Sequence, residues 1–108
     1  MGKRIYEQVD VTAGAGATVY ELLYTSTAEE PRKLKRISVN INTALCDLLV
    51  VDEREDIGDI PLDAKPLTDK WVDFDRDIQV GHQLQIGLRN GTGGGVTMVA
   101  LIESEVGK

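Results

Sequence analysis

Gly81-His82-Gln83-Leu84-Gln85-Ile86-Gly87-Leu88-Arg89-Asn90, the glycine turn Gly91-Thr92-Gly93-Gly94-Gly95, and Val96-Thr97-Met98-Val99-Ala100-Leu101-Ile102-Glu103-Ser104-Glu105 together form the stretch whose reading decides the fold. Leu84, Ile86 and Leu88 share one parity and Gln83, Gln85 and Arg89 the other, which is the period-2 pattern of a strand with one buried and one wet face. The run from Val96 to Ile102 is more continuously apolar, as befits a strand inside a sheet rather than at its edge. With glycines between them, the two segments are expected to form a long antiparallel hairpin that closes a β-sandwich.

The upstream sequence supplies further strands. Ile5, Val9 and Val11 alternate with Tyr6, Gln8 and Asp10 up to a wide turn at Ala13-Gly14-Ala15-Gly16-Ala17. Thr18–Thr25 reads as a second strand, with Tyr20, Leu22 and Tyr24 on one face and Val19, Glu21 and Leu23 on the other; its alternation does not say which face is buried. Ile37, Val39 and Ile41 are expected to point inward and Ser38, Asn40 and Asn42 outward. Leu45–Val51 is a dense apolar run cut only by Asp47, and reads as a buried strand in preference to a helix over Thr43–Arg54. Asp52–Leu67 contains Pro61 and Pro66, which cannot donate to a ladder, so it is expected to be a connection with at most short edge pairing. Trp71, Val72 and Phe74 with Asp73 and Asp75 make one more strand. The expected fold is all-β: a single-domain antiparallel β-sandwich over residues 1–108, jelly-roll-like, with seven to eight strands.

Composition narrows the function. A chain of 108 residues suits one core, and with one Phe, one Trp and three Tyr that core must be built from Val, Ile and Leu. A net charge of −6 argues against nucleic-acid binding driven by phosphate contacts. The lone Cys46 rules out an internal disulfide, and its parity with Leu48 and Val50 makes it a small buried apolar residue. The charged start Met1-Gly2-Lys3-Arg4-Ile5-Tyr6-Glu7-Gln8 does not read as a signal peptide, Tyr6 does not fit N-myristoylation, and no apolar stretch is long enough to span a membrane. Synthesis in a cytoplasm is the expectation.

No catalytic constellation stands out. Asp73-Phe74-Asp75-Arg76-Asp77 opens like a calcium loop, but Ile78 stands where glycine is needed and Leu84 where the bidentate glutamate belongs, so a strand with charged edges is preferred. Gly91–Gly95 leads into a strand rather than a helix and lacks the following lysine of a phosphate loop. His82 is the only histidine, which excludes multi-imidazole zinc sites; Ser26, Ser38, Ser104 and Cys46 carry no nucleophile motif, and the 18 carboxylates single out no acid pair. No catalytic residue, cofactor or metal ligand is assigned. Arg32, Lys33, Lys35 and Arg36 reverse the overall sign locally, and with the turn residues Thr92 and Gly93 they are the candidate partner contacts. Tyr6, Tyr20, Tyr24, Trp71 and Phe74 are the aromatics available to a carbohydrate-binding surface.

Three segments carry a family resemblance: Leu34-Lys35-Arg36-Ile37-Ser38-Val39-Asn40-Ile41, the connection ending Ile60-Pro61-Leu62, and Gly81–Thr92 with its return to Glu103-Ser104-Glu105. In this order they resemble the small jelly-roll virion proteins of tailed bacteriophages and archaeal viruses, including capsid decoration or cement proteins and jelly-roll modules of tails and fibres. The resemblance implies a non-enzymatic structural role in a virion. It also implies a homo-oligomer, often a trimer, seated on a major capsid or tail protein, without nucleic acid, membrane or cofactor. A lectin-like carbohydrate-binding sandwich uses the same strand grammar and is the alternative.

Overall fold

The computed structural model describes residues 2–64 and 71–107. Its strands are β1 (Lys3–Ala13), β2 (Thr18–Thr25), β3 (Arg32–Val39), β4 (Cys46–Asp52), β5 (Glu55–Pro61), β6 (Trp71–Ile78), β7 (Gln83–Asn90) and β8 (Val96–Val106), with a 3-10 turn over Leu62–Ala64. They form two antiparallel four-stranded sheets, ordered β1-β8-β3-β6 and β2-β7-β4-β5. This interleaved order is that of a jelly roll. Of the seven links between successive strands, only β4–β5 joins neighbours within a sheet. The others cross from one sheet to the other.

The expected closing hairpin is therefore corrected. β7 lies between β2 and β4, while β8 lies between β1 and β3 in the opposite sheet, so the glycine turn carries the chain across the sandwich. Alternation reports which face of a strand is greasy: β7 does bury the face expected, and β8 lies inside its sheet, as its continuous apolar run implied. Leu84, Ile86 and Leu88 of β7 and Met98, Ala100 and Ile102 of β8 are all fully buried. Alternation does not report the in-sheet neighbour, and a glycine-rich turn serves a crossing as well as a hairpin.

The rest of the core follows the same logic. Val11 and Ala13 of β1, Leu34, Ile37 and Val39 of β3, and Cys46, Leu48 and Val50 of β4 point inward, each buried aliphatic contributing about 1.5–3 kcal/mol. Leu34 and Ile37 are three residues apart because the register slips between Leu34 and Arg36, which resets the parity. A second slip, between Leu22 and Tyr24, explains why β2 has no single greasy face: Val19 and Leu23 pack on the core and Tyr24 is buried, while Tyr20 and Leu22 face solvent. The Asp52–Leu67 expectation is corrected in part, since Glu55–Pro61 is a seven-residue edge strand that pairs with β4 through six of its residues, with Pro61 at its last position where a lost donor costs least. The expectation for Pro66 lies outside the described residues.

Candidate functional surface

The basic cluster sits on β3 and is neutralised within the chain. Arg32 Nη1 donates to Glu7 Oε1 at 2.6 Å, and its guanidinium lies 4.3 Å from the centre of the Tyr24 ring. Lys33 and Lys35 reach Asp75 Oδ1 at 3.6 and 2.7 Å. Asp75 has φ of 52°, a left-handed conformation that aspartate tolerates better than most residues. Its carboxyl is held below the ordinary carboxylate range, first by the Lys35 hydrogen bond and then by the charge of Lys33. The Asp73–Asp77 segment is thus the strand β6, and the cation at Asp75 is a lysine ammonium. Among the described residues no cluster of three metal-binding side chains occurs.

Arg36 belongs to a tighter arrangement. Glu103 points outward from β8 yet is fully buried, because Arg4 Nη1 and Arg36 Nε close over its two oxygens at 2.5 Å each. The Arg36 guanidinium also stacks on Trp71, 4.1 Å from the ring centre. The Arg36 hydrogen bond holds the Glu103 carboxyl below its ordinary range, against the opposing effect of desolvation. The cover is thin, since the arginine side chains are themselves 55% and 37% exposed. Across this sheet the register sets Arg4, Glu105, Lys33 and Asp77 in one row, and Tyr6, Glu103, Arg36 and Asp73 in the next. Opposite charges therefore alternate along each row. The face is a self-satisfied electrostatic mosaic rather than a positive patch.

Thr92 and Gly93 lie at the opposite end of β8, in the crossing turn. There Asn90, which is buried, does the organising. Its Nδ2 shares two hydrogens among the carbonyls of Ala13, Gly14 and Gly94, at 3.0, 3.1 and 2.7 Å, and its Oδ1 accepts from Thr92 N and Oγ1 at 2.9 and 2.7 Å. Buried Cys46 directs its thiol at the same oxygen, 3.6 Å away. One amide thus ties the β1–β2 turn, the β7–β8 turn and the start of β4 together. The sequence signal was the Asn-Gly pair ending β7, but pattern alone does not reveal a pin between distant turns.

His82, the only histidine, has a side chain 34% exposed, yet it is not isolated. Its Nδ1 is 2.9 Å from Oδ1 of buried Asp52, whose Oδ2 accepts from Arg76 Nε at 3.0 Å. Arg76 continues to Glu55 at 3.1 Å, and Ser26 N donates to the His82 carbonyl at 2.9 Å. A histidine oriented by a carboxylate is two thirds of a triad. Among the described residues no hydroxyl or thiol hydrogen-bonds its other ring nitrogen. The network fastens the β2–β3, β4–β5 and β6–β7 connections at the end of the sandwich remote from Asn90.

The aromatics do not converge. Tyr6 is 55% exposed on the β1 sheet and Tyr20 43% exposed on the β2 sheet, so they occupy opposite outer faces. Tyr24 is buried, Phe74 packs on the core, and one face of Trp71 is taken by Arg36. Two open hollows on the surface mix charges of both signs; that around Glu103, about 410 Å³, is lined by Arg4, Lys35, Arg36, Asp73, Asp75 and Glu103. No helix among the described residues is long and apolar enough to cross a membrane.

No family model and no curated protein matches this sequence. Among solved structures, a chain in the atomic structure of Sulfolobus Turreted Icosahedral Virus aligns over 98% of this chain with a TM-score of 0.57 and 16% sequence identity. This chain spans 29% of the length of that one. At that identity the likeness is one of fold: this β-sandwich is similar in its strand architecture to part of a chain from an icosahedral virus.

Proposed function

We propose that this chain is a non-enzymatic structural virion protein. Its finer role is that of a capsid decoration or cement subunit, which stabilises a lattice by contacts with copies of itself and with a major capsid or tail protein. The observation that carries this reading is the near-complete alignment of the jelly roll with part of a virus chain. The surface supports it. Both ends of the sandwich are pinned, by Asn90 at one and by Asp52 with His82 at the other, and the outer face of the β1 sheet is a neutral mosaic of paired charges. A rigid body of this kind contributes shape and register to a lattice without reorganising on assembly. The separation of Tyr6 from Tyr20 on opposite faces favours it over a sugar-stacking platform.

The test is to fractionate the native source on a density gradient and locate the chain with an antibody. Co-migration with particles, in a fixed ratio to the major coat protein, is expected. Recovery only as a free species, apart from particles, would overturn the reading.

A further inference from the structure

Among the described residues the two sheets leave four edge strands: β1 and β6 in one, β2 and β5 in the other. An unpaired edge invites another strand, and proteins blunt it with charge, proline or a kink. β1 carries Lys3, Arg4, Glu7 and Asp10; β5 carries Glu55, Asp56 and Asp59 and ends at Pro61. β6 carries Asp73, Asp75, Arg76 and Asp77 and is kinked at Asp75, where φ is positive. β2, reading Thr-Val-Tyr-Glu-Leu-Leu-Tyr-Thr, has one charge and no proline, and is regular from Thr18 to Leu22. On its outward side Leu22 is 55% exposed and Tyr20 43%, the tyrosine ring lying where a side chain on Gly87 would stand.

From this we infer that β2 is a self-association edge, pairing antiparallel with β2 of a second copy about a twofold axis at Tyr20. The inference rests on the assembly reading above and names the surface it uses. The register sets no like charges against each other: Tyr20 stands opposite Tyr20 of the second copy, Thr18 opposite Leu22, and Glu21 opposite Val19. The slip after Leu22 ends the paired stretch at five residues. The product is one continuous eight-stranded sheet, β5-β4-β7-β2-β2-β7-β4-β5, and its isologous contact gives pairs rather than the trimer implied by the family resemblance. Each copy buries on the order of 400–500 Å², below the ~800 Å² per partner of stable complexes, so the pairing is in the micromolar range and becomes firm only where many copies are held together.

Sedimentation equilibrium of the full chain from about 1 to 500 µM tests this range directly. The wild-type chain is expected to pass from monomer to dimer. Leu22→Lys and Tyr20→Lys are expected to weaken dimerisation at least ~10-fold with the folded spectrum retained, while Leu101→Lys on the other sheet leaves it unchanged. A monomeric wild type, or dimers unaffected by both β2 variants, overturns the contact. The gradient separates this from the broader reading: a monomer that travels with particles removes only the β2 contact, and a dimer absent from particles removes only the virion role.

Discussion

Replacing Asn90 probes how one buried amide holds an end of the sandwich. Its orientation is fixed by its surroundings, because carbonyl oxygens surround one terminal atom and donors the other. Asn90→Ala strips the donor from the Ala13 carbonyl, which belongs to a fully buried residue and has no ready access to water. That loss costs about 1–3 kcal/mol, whereas Gly14 and Gly94, on exposed turns, regain water and lose about 0.5–1 kcal/mol each. The total is about 2–5 kcal/mol, a large fraction of the stability of a domain this size. Asn90→Asp keeps the volume but turns an oxygen towards three carbonyls and buries a charge, so it is expected to cost about 4 kcal/mol or more at neutral pH. Urea denaturation followed by the fluorescence of Trp71, the only tryptophan, gives both values. The aspartate variant should recover as its carboxyl protonates and offers a hydrogen in place of the lost N–H. An alanine variant within about 1 kcal/mol of wild type, or an aspartate variant no worse than alanine, would refute the pinning role.

Glu103 gives a pH test. Its folded pKa lies below the ordinary 4.5, so its contribution is fully present above that value and is lost as pH falls through the folded pKa. Glu103→Gln is expected to cost about 1–2 kcal/mol at pH 7, discounted because both arginines are partly exposed, and to make the acid limb of the stability profile shallower; an unchanged limb counts against it. Leu45 is 71% exposed with φ of 67°, so Leu45→Asn is expected to raise stability by about 0.5–1 kcal/mol, measured by urea unfolding, with a loss counting against it. A Cβ at Gly87 would stand 2.6 Å from Tyr20 Cδ1 and 3.2 Å from Leu49 Cβ. Gly87→Ala should therefore cost about 1–2 kcal/mol, and Tyr20→Ala in the same chain should return part of it; strict additivity of the two changes would contradict the contact.

The sequence was most legible where burial alone sets the pattern. Leu84-x-Ile86-x-Leu88 and Ile37-x-Val39 named their strands and inward faces, and Cys46 fell inside with Leu48 and Val50, because period-2 alternation is a direct record of which side is dry. It was blind to the neighbour: nothing in Gly91–Gly95 distinguishes a hairpin from a crossing, and the choice rests on β1 and β3 both pairing with β8. Bulges at Leu22–Tyr24 and Leu34–Arg36 broke parity where it would have helped most. The basic cluster was visible as composition, but its partners Glu7, Asp75 and Glu103 are distant in sequence, so its neutralisation appeared only in three dimensions. Asp52 reached His82 in the same way.

Amide hydrogen exchange on the chain alone and within its native assembly asks where the molecule makes its contacts. The expected result is new protection along β2, from Thr18 to Leu22, with the already protected core of β7 and β8 unchanged. Identical exchange in the two states, or protection gathered around His82 and Asp52 on adding a small molecule, would contradict a protein whose working part is its outer surface.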